Sequence, residues 1–213
     1  MARIRHRKSI NPFRVRLDVQ RPDWASILGM DCGADAPVEV DLGFGRGEFL
    51  LEMAHRRPSV QFVGLEIRGY LLDKLREQLA QDPRPNVHLF AANVKQHLPV
   101  LFAPGMLSRV YIHFPDPWTE RKKHHKRRMV DASLVETLHT LLKPGGDVHL
   151  MTDKNEGGLE MLHLFEAHGG FTNDCGLGQF CSDSTTGVRT REECYYMEHG
   201  VPIWRLRFVR SDR

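Results

Sequence analysis

The fold is decided by residues 38–47, which read Val-Glu-Val-Asp-Leu-Gly-Phe-Gly-Arg-Gly. The first five residues predict a short apolar-rich strand, and the glycines let the backbone turn tightly straight after it. Residues 48–57 then place Phe49, Leu50 and Met53 on one helical face, and Pro58 closes that helix. A strand, a glycine-rich turn and a helix in this order are typical of the first unit of an α/β fold.

The same alternation continues towards the carboxyl terminus. Apolar runs predict further strands, and apolar residues at helical spacing predict helices between them. The predicted strands are 61–66, 87–91, 109–114 and 147–151, and the predicted helices are 70–81, 94–102, 129–142 and 158–168. Phe171 and the alternating stretch 203–209 predict a closing antiparallel pair. We therefore expect an α/β, doubly wound, mainly parallel seven-stranded sheet with one antiparallel strand, which is a Rossmann-like fold.

Length and composition limit the classes of protein that are possible. The chain has 213 residues, of which 41% are hydrophobic and 27% charged, and this composition is globular. No apolar run reaches the ~18 residues of a membrane span, and no apolar stretch follows the basic start as in a secretory signal. We expect a cytoplasmic protein that does not enter a membrane, with a basic tail and linker over residues 1–36 and one catalytic domain over 37–213.

The net charge of +3 hides an uneven distribution along the chain. Residues 1–21 carry seven Lys or Arg and one acid, and residues 120–128 carry six and one. The remainder holds 17 bases and 25 acids, so its net charge is −8. An acidic body with two basic segments predicts a polyanionic partner. A solvated charged face is the commoner role of such a run, but the second segment directly follows a candidate active-site loop.

The four cysteines have no assigned role. Cys32, Cys175, Cys181 and Cys194 form no C-x-x-C pair, so neither a structural zinc nor another metal site is expected. Because the chain has no secretory signal, we expect reduced thiols rather than disulfides.

A cofactor site is predicted at the glycine-rich turn. Glu66 ends the next strand, 23 residues after Gly43, where a carboxylate can accept hydrogen bonds from ribose hydroxyls. Glu48 stands where a dinucleotide motif needs its third glycine, and Asp41 would repel a pyrophosphate but favour a cationic ligand. These features favour S-adenosylmethionine over a nicotinamide dinucleotide. The turn contains Gly43 and Gly45, and such a glycine-rich turn by itself is also compatible with an ordinary β–α connection.

Two further loops carry candidate binding residues. Asn93 follows the third strand and is suited either to an adenine edge or to capping the next helix. Residues 114–118 read Phe-Pro-Asp-Pro-Trp, and the two prolines make a stiff arm that presents Asp116 and Trp118. A carboxylate can accept from the N1–H and exocyclic amine of guanine, and an aromatic ring can stack on an unpaired base. A proline-rich turn with Trp118 in the core is the alternative.

These residues together resemble the TrmB-type tRNA (guanine-N7-)-methyltransferases over residues 38–209. The resemblance depends on the glycine turn 43–47, Gly-Leu-Glu-Ile-Arg at 64–68, Phe-Pro-Asp-Pro-Trp with the His-His-Lys-Arg-Arg of 124–128, Met-Thr-Asp at 151–153 and Thr-Arg-Glu-Glu at 190–193. It implies the class I S-adenosylmethionine-dependent methyltransferase fold. It also implies methylation at N7 of the variable-loop guanine (position 46) of tRNA, giving 7-methylguanosine without a metal, by a monomer or a homodimer.

The resemblance also implies roles for individual residues. Asp116 takes the catalytic position. Cofactor contacts fall on Asp41, Gly43, Gly45, Glu66, Asn93 and Asp116, and substrate contacts on Lys122, Asp153, Thr190, Arg191, Glu192 and Glu193. The chain departs from the usual pattern at Asp41 (usually Glu), Asn93 (commonly Asp), Thr119-Glu120 (usually Pro-Lys) and Glu192 (often aromatic), so that Arg121 is the alternative to Lys122.

Other functions remain as alternatives. An enzyme that methylates adenine N6 has a related acidic-proline-aromatic motif, although here only one proline follows the acid. A non-catalytic RNA-binding module would bind tRNA without the cofactor, which the retained Gly43, Gly45 and Glu66 argue against.

Overall fold

A computed structural model describes residues 15–28, 36–116 and 128–211 of the chain. The helices are α1 (Trp24–Leu28), α2 (Glu48–Arg56), α3 (Gly69–Gln81), α4 (Val94–Leu101), α5 (Ala132–Leu141), α6 (Asn155–His168) and α7 (Arg191–Glu198). The strands are β1 (Val38–Leu42), β2 (Gln61–Glu66), β3 (Val87–Ala91), β4 (Leu107–His113), β5 (Leu142–Thr152), β6 (Phe171–Asn173) and β7 (Trp204–Arg210).

The strands form one seven-stranded sheet in the order β3-β2-β1-β4-β5-β7-β6. The pairs from β3 to β5 are parallel, whereas β7 is antiparallel to both β5 and β6. The predicted fold is confirmed, including its one antiparallel strand. The chain order reverses between β1 and β4, and ligands bind at the carboxyl ends of strands beside such a switch point.

Helices cover both faces of the sheet, which is why the strands were readable as apolar runs. All five residues of β1 are buried. One hydrophobic cluster includes Leu98, Val135 and Phe165, and a second, built around α2 and α3, includes Phe49 and Leu75. Burial on both faces is typical of parallel sheets, and it fixes the position of β1 in the centre.

The observed helix and strand ends differ from the predicted ones in the second half of the domain. Helix α5 begins at Ala132 because Asp131 caps it, its side chain accepting from the Leu134 amide at 3.0 Å. Helix α6 begins at Asn155 and contains Gly158, where an added Cβ would lie 3.0 Å from Trp204. That glycine therefore allows close packing of α6 on β7 rather than starting the helix late.

Part of the segment 1–36, which was expected to be a tail and linker, is packed on the domain. The Trp24 ring stacks on Phe102 with centroids 5.3 Å apart, and its Nε1 donates to the Leu101 carbonyl at 2.6 Å. Arg21 Nε donates to the Val100 carbonyl at 3.0 Å. These contacts join residues 21–28 to the end of α4. Residues 1–14 and 29–35 of the expected tail and linker lie outside the described residues.

The expectation of reduced cysteines is wrong for one pair. Cys175 and Cys181 form a disulfide, which the fold permits because the turn after β6 brings their Cα atoms within 5.2 Å. Cys194 is a free, exposed thiol, and Cys32 lies outside the described residues. The described parts of the chain contain no helix long and apolar enough to cross a membrane, and no group of three or more metal-ligating side chains.

Candidate active site

The candidate site residues lie at the carboxyl ends of the parallel strands, along one side of the sheet. Asp41 is in β1, Glu66 ends β2, Asn93 follows β3, and Asp153 follows β5. Asp116 lies three residues after β4 ends at His113. Because β1 to β5 are parallel, their carboxyl ends share this edge, and the chain brings together residues that are far apart in sequence.

The turn after β1 is left-handed at each of its three glycines, with φ of 83° at Gly43, 61° at Gly45 and 82° at Gly47. Other residues adopt this conformation only at a cost. The Gly43 amide donates to the Leu65 carbonyl at 2.8 Å, which joins the turn to β2. The turn is therefore a fixed part of the sheet edge, and its backbone lies open to the cleft beside it.

Asp41 is a buried carboxyl group whose pKa is far from its usual value. It is 3% exposed. Burial raises its pKa to about 8, with the negative charge of Glu66 adding to the effect. Asp41 is therefore mostly protonated at neutral pH.

Glu66 is held by five hydrogen bonds at the end of β2. The amides of Gly45, Ile67 and Arg68 donate to it at 3.1, 2.9 and 3.0 Å. The Arg68 side chain adds two more bonds, from Nε at 3.0 Å and from Nη2 at 2.8 Å. Burial lowers the pKa of Arg68, but its bonds to Glu66 and its attraction to Glu66 and Asp116 outweigh this and raise it. The guanidinium remains charged.

Two open clefts adjoin the turn that follows β4, each about 370 Å³ including space continuous with solvent. The first cleft is lined by Asp41, Gly43, Gly45, Glu48, His113, Phe114, Thr190, Arg191 and Glu192, among others. The second cleft is lined by Pro115, Asp116, Arg128, Met129, Thr152 and Lys154, among others. Residues 113–116 therefore separate the cleft beside the glycine turn from the cleft beside Asp116.

The turn itself carries backbone strain. Phe114 has φ of 48°, a left-handed conformation that an aromatic residue rarely adopts. Its amide donates to the Met151 carbonyl at 2.8 Å, and its ring lies 5.2 Å from that of Tyr196 on α7. Such strain occurs where the surrounding structure fixes a functional turn. Pro117, Trp118 and Lys122, with most of the second basic segment, lie outside the described residues.

Helix α7 forms one side of the first cleft and was not predicted as a helix. Thr190 caps it, its Oγ1 accepting from the Glu193 amide at 3.0 Å. The Thr-x-x-Glu spacing of a capping box could have shown this helix in the sequence. Arg191, 59% exposed, lies 3.5 Å from Glu48 across the cleft.

The structure places Glu193 differently from its neighbours. Its carboxylate is fully buried and accepts from Arg205 Nη2 at 2.7 Å and from Nε at 2.9 Å. This pair joins α7 to β7. Glu193 is thus directed into the protein, whereas Thr190, Arg191 and Glu192 line the cleft.

The remaining predicted residues occupy strand ends. Asn93 is 5% exposed and precedes α4, but its side chain makes no capping hydrogen bond. The backbone N–H of Asn93 donates to His97 Nδ1 at 3.0 Å. Asp153 follows β5 and lies 2.7 Å from Lys154 Nζ.

His113 is a cleft residue that the sequence analysis missed. It follows Tyr111 on the same face of β4, and its ring packs edge-on against Phe49 at 4.6 Å. Burial, with a smaller effect of His149, lowers the pKa of His113 to about 3, so the imidazole is neutral. Its buried Nε2 has no hydrogen-bond partner within the described ranges. A histidine at the end of an apolar run gave no signal that distinguished it from a core residue.

Comparison with known proteins identifies the family. Residues 35–206 match a family model, Methyltransf_4, that describes methyltransferases. A tRNA (guanine-N(7)-)-methyltransferase of Synechococcus sp. (strain JA-3-3Ab) is 39% identical over 209 residues, which cover 94% of this chain and 84% of the relative. A tRNA (guanine-N(7)-)-methyltransferase of Thermosynechococcus vestitus is 36% identical over 97% of this chain and 95% of the relative.

Solved structures agree on the fold. The 16S rRNA methyltransferase KamB has a TM-score of 0.64 at 14% identity, over 91% of this chain and 95% of its own. The aminoglycoside resistance methyltransferase NpmB1 has a TM-score of 0.59 at 18% identity, over 90% and 95%. These structures share the class I methyltransferase architecture with this chain. By its sequence, the chain belongs to the tRNA (guanine-N(7)-)-methyltransferase family.

Proposed function

We propose that this protein transfers a methyl group from S-adenosylmethionine to N7 of the variable-loop guanine of tRNA in the cytoplasm. The single observation that carries the proposal is the turn 113–116, which separates the first cleft, beside the glycine turn, from the second cleft, beside Asp116. A methyl donor on one side and a base on the other would meet at this turn. The names of the relatives support the choice of tRNA and of guanine N7.

Residues that line the first cleft, together with Glu66, which accepts from the Gly45 amide there, fit the proposed cofactor. Asp41 is a buried carboxyl group at its wall, and a cationic ligand would favour its charged form. Glu66 is oriented by three backbone amides, so its oxygens have fixed directions for hydroxyl donors. We assign cofactor binding to Asp41, Gly43, Gly45, Glu66, Asn93 and Asp116.

Asp116 is the proposed catalytic residue. When bound, the cofactor supplies a methyl group on a positively charged sulfur, and guanine N7 needs no prior deprotonation to accept it. Asp116 would hold the guanine by its N1–H and exocyclic amine. It would stabilise the positive charge that develops on the ring, and it could accept the N1 proton. Positioning and electrostatics are therefore the main contributions of the protein.

We assign the tRNA contacts to residues around the two clefts and in the basic segments. Thr190, Arg191 and Glu192 line the first cleft, and Glu193 contributes by holding α7 through Arg205. Asp153 lies at the end of β5, and Lys122 is carried over by resemblance. Arg128, beside Asp116 in the second cleft, and the basic tail would contact backbone phosphates.

The test is methyl transfer from labelled S-adenosylmethionine to tRNA transcripts, with the variable-loop guanine present or replaced by adenine. We expect label only in the first transcript, recovered as 7-methylguanosine after digestion. Label in N6-methyladenosine would favour the alternative enzyme. Equal label in both transcripts would contradict the proposed specificity. Binding of tRNA without any binding of the cofactor would favour a non-catalytic module.

A further inference from the structure

His113 is a polar side chain in the wall of the first cleft, among aromatic neighbours. Its ring packs edge-on against Phe49 at 4.6 Å and lies 5.7 Å from the ring of Tyr111. Its buried Nε2 has no hydrogen-bond partner among the described residues. A buried nitrogen without a partner lowers stability, so a phenyl ring would suit these surroundings better. Packing alone therefore does not explain why a histidine occupies this position.

The carboxyl group of Asp41 belongs to the same wall. Strand β1 pairs directly with β4, and Asp41 is in register with Tyr111. Because successive side chains of a strand alternate between the two faces of a sheet, Asp41, Tyr111 and His113 project to one face. Asp41 and the partly exposed His113 both line the first cleft. A ligand group that contacts Asp41 therefore lies close to His113.

The charges around the first cleft favour a cationic group at this wall. The other charged residues that line the cleft are two bases and two acids, which are Arg46, Arg191, Glu48 and Glu192. Their charges balance, and water screens those of Arg46, Glu48 and Arg191 because these side chains are exposed. Asp41 is buried, so its charge, when ionised, acts more strongly on a neighbouring group.

The imidazole of His113 is also suited to a cation. Burial, with a smaller effect of His149, holds the pKa of His113 at about 3, so the ring is neutral and does not repel a positive charge. A neutral imidazole keeps one nitrogen lone pair that accepts a hydrogen bond. An ammonium group carries three N–H donors, and Asp41 approaches it from one side. A second acceptor on the neighbouring strand therefore complements the carboxylate.

We propose that His113 is a ligand-binding residue of the first cleft, which accepts a hydrogen bond from the ammonium group of the methyl donor beside Asp41. The inference rests on the proposed function for the identity of that ligand. His113 thereby distinguishes ligands that carry an amino-acid part from simple nucleosides. Its contact is with the part of the ligand that does not react, so it contributes to affinity and specificity rather than to the transfer step.

The first test compares two ligands by calorimetry. S-adenosylhomocysteine carries the ammonium group, and adenosine does not. We expect His113→Phe to bind S-adenosylhomocysteine about tenfold to a hundredfold more weakly and adenosine as well as the unmodified protein does. His55→Phe, at an exposed position in the last turn of α2, is the matched control and should bind both ligands normally. Unchanged affinity of His113→Phe for S-adenosylhomocysteine would overturn the proposal.

A second comparison identifies the group that His113 contacts. The loss in His113→Phe should disappear with an analogue of S-adenosylhomocysteine that lacks the amino group. It should persist with an analogue that lacks the carboxyl group. The reverse pattern would assign His113 to the ligand carboxylate and contradict the proposed contact. His113→Asn, which keeps a hydrogen-bonding side chain, should recover part of the lost affinity.

Stability separates ligand binding from packing. Because Phe removes an unpaired buried nitrogen, ligand-free His113→Phe should melt at the same temperature as the unmodified protein or higher. A lower melting temperature together with weaker adenosine binding would show a packing role and overturn the inference. None of these measurements uses tRNA, so a protein that passes them but leaves tRNA unmethylated would contradict only the proposed function. An unmodified protein that binds no S-adenosylhomocysteine would contradict both.

Discussion

Asp41 and Glu66 place two buried carboxyl groups on adjacent parallel strands. Asp41 is in register with Gly64, two residues before Glu66, and the two side chains belong to residues that are 3% and 2% exposed. After burial itself, the charge of Glu66 is the second cause that raises the pKa of Asp41 to about 8. Arg68 pairs with Glu66, and the pKa of Asp41 stays high beside that pair. Asp41 therefore has no cationic partner in that pair, and a cationic ligand would favour its ionised form.

The first prediction concerns stability and pH. Because the folded pKa of Asp41 lies above its ordinary value of 3.8, the native state binds more protons than the unfolded state between about pH 4 and 8. Stability should fall as pH rises through this window. Asp41→Asn should remove the fall and be more stable at pH 9 by a few kcal/mol, at about 1.4 kcal/mol per pKa unit.

Urea unfolding at pH 5 and pH 9 measures this effect. Asp73→Asn, at a position whose side chain is 68% exposed, is the control and should follow the unmodified protein at both values. If Asp41→Asn lost stability at pH 9, Asp41 would have to be ionised and favourably paired.

The second prediction concerns ligand binding. A ligand with an ammonium group favours ionised Asp41, so binding should release up to one proton below pH 8. The affinity for S-adenosylhomocysteine should rise about tenfold per pH unit at most, and level off above pH 8. Calorimetry in two buffers of different ionisation enthalpy counts the protons. Asp41→Asn should bind more weakly and release none, and a proton count near zero in the unmodified protein would refute the linkage.

Asp116 gives a third prediction, for catalysis. A single carboxylate that holds the base and stabilises developing charge contributes on the order of 10²- to 10³-fold to kcat. Asp116→Asn should lose about this factor in single-turnover methyl transfer to tRNA, with less than a tenfold change in S-adenosylhomocysteine affinity. Asp73→Asn should keep full activity. Full turnover of Asp116→Asn would remove Asp116 from the catalytic role.

Sequence patterns predicted the first half of the sheet to the residue. β1, β2 and β3 have the predicted ends because each is a short apolar run that glycine, proline or a polar residue interrupts. Helix α7 was missed because its only buried residue is Glu193, so no apolar face repeats at helical spacing. Its burial depends on Arg205, which lies on β7.

The candidate site also has a part that the sequence predicted and a part that it did not. The polar residues that follow strands were predictable, since parallel strands end at one edge. The partners of those residues were not, because a side-chain pair such as Arg68 with Glu66 depends on rotamers that no spacing rule contains. The left-handed Phe114 was equally hidden, since nothing in the motif distinguishes a strained residue from an extended one. The Cys175–Cys181 disulfide depends on the turn between them.

A fourth prediction tests the role of the buried ion pair between Glu193 and Arg205. Removing one partner leaves an uncompensated buried charge, which costs about 3–5 kcal/mol. Arg205→Met should therefore lower the free energy of unfolding by about this amount. Asp73→Ala breaks the exposed pair with Arg76, in which Asp73 is 68% exposed, and should cost at most about 1 kcal/mol. Similar losses in both variants would mean that α7 is held by other contacts.

The last prediction compares two glycines with similar backbone and different surroundings. Gly47 and Gly105 have φ of 82° and 67°, so alanine is strained at both, by about 1 kcal/mol. An alanine Cβ at Gly47 would also overlap the Leu75 side chain, whereas at Gly105 nothing lies within 4 Å. Gly47→Ala should therefore lose about 2–4 kcal/mol of stability and, by displacing the turn, at least tenfold in S-adenosylhomocysteine affinity. Gly105→Ala should lose about 1 kcal/mol and bind normally. Thermal unfolding and calorimetry on both variants check this, and equal losses of stability would show that Leu75 moves aside and that the packing of α3 does not fix the turn.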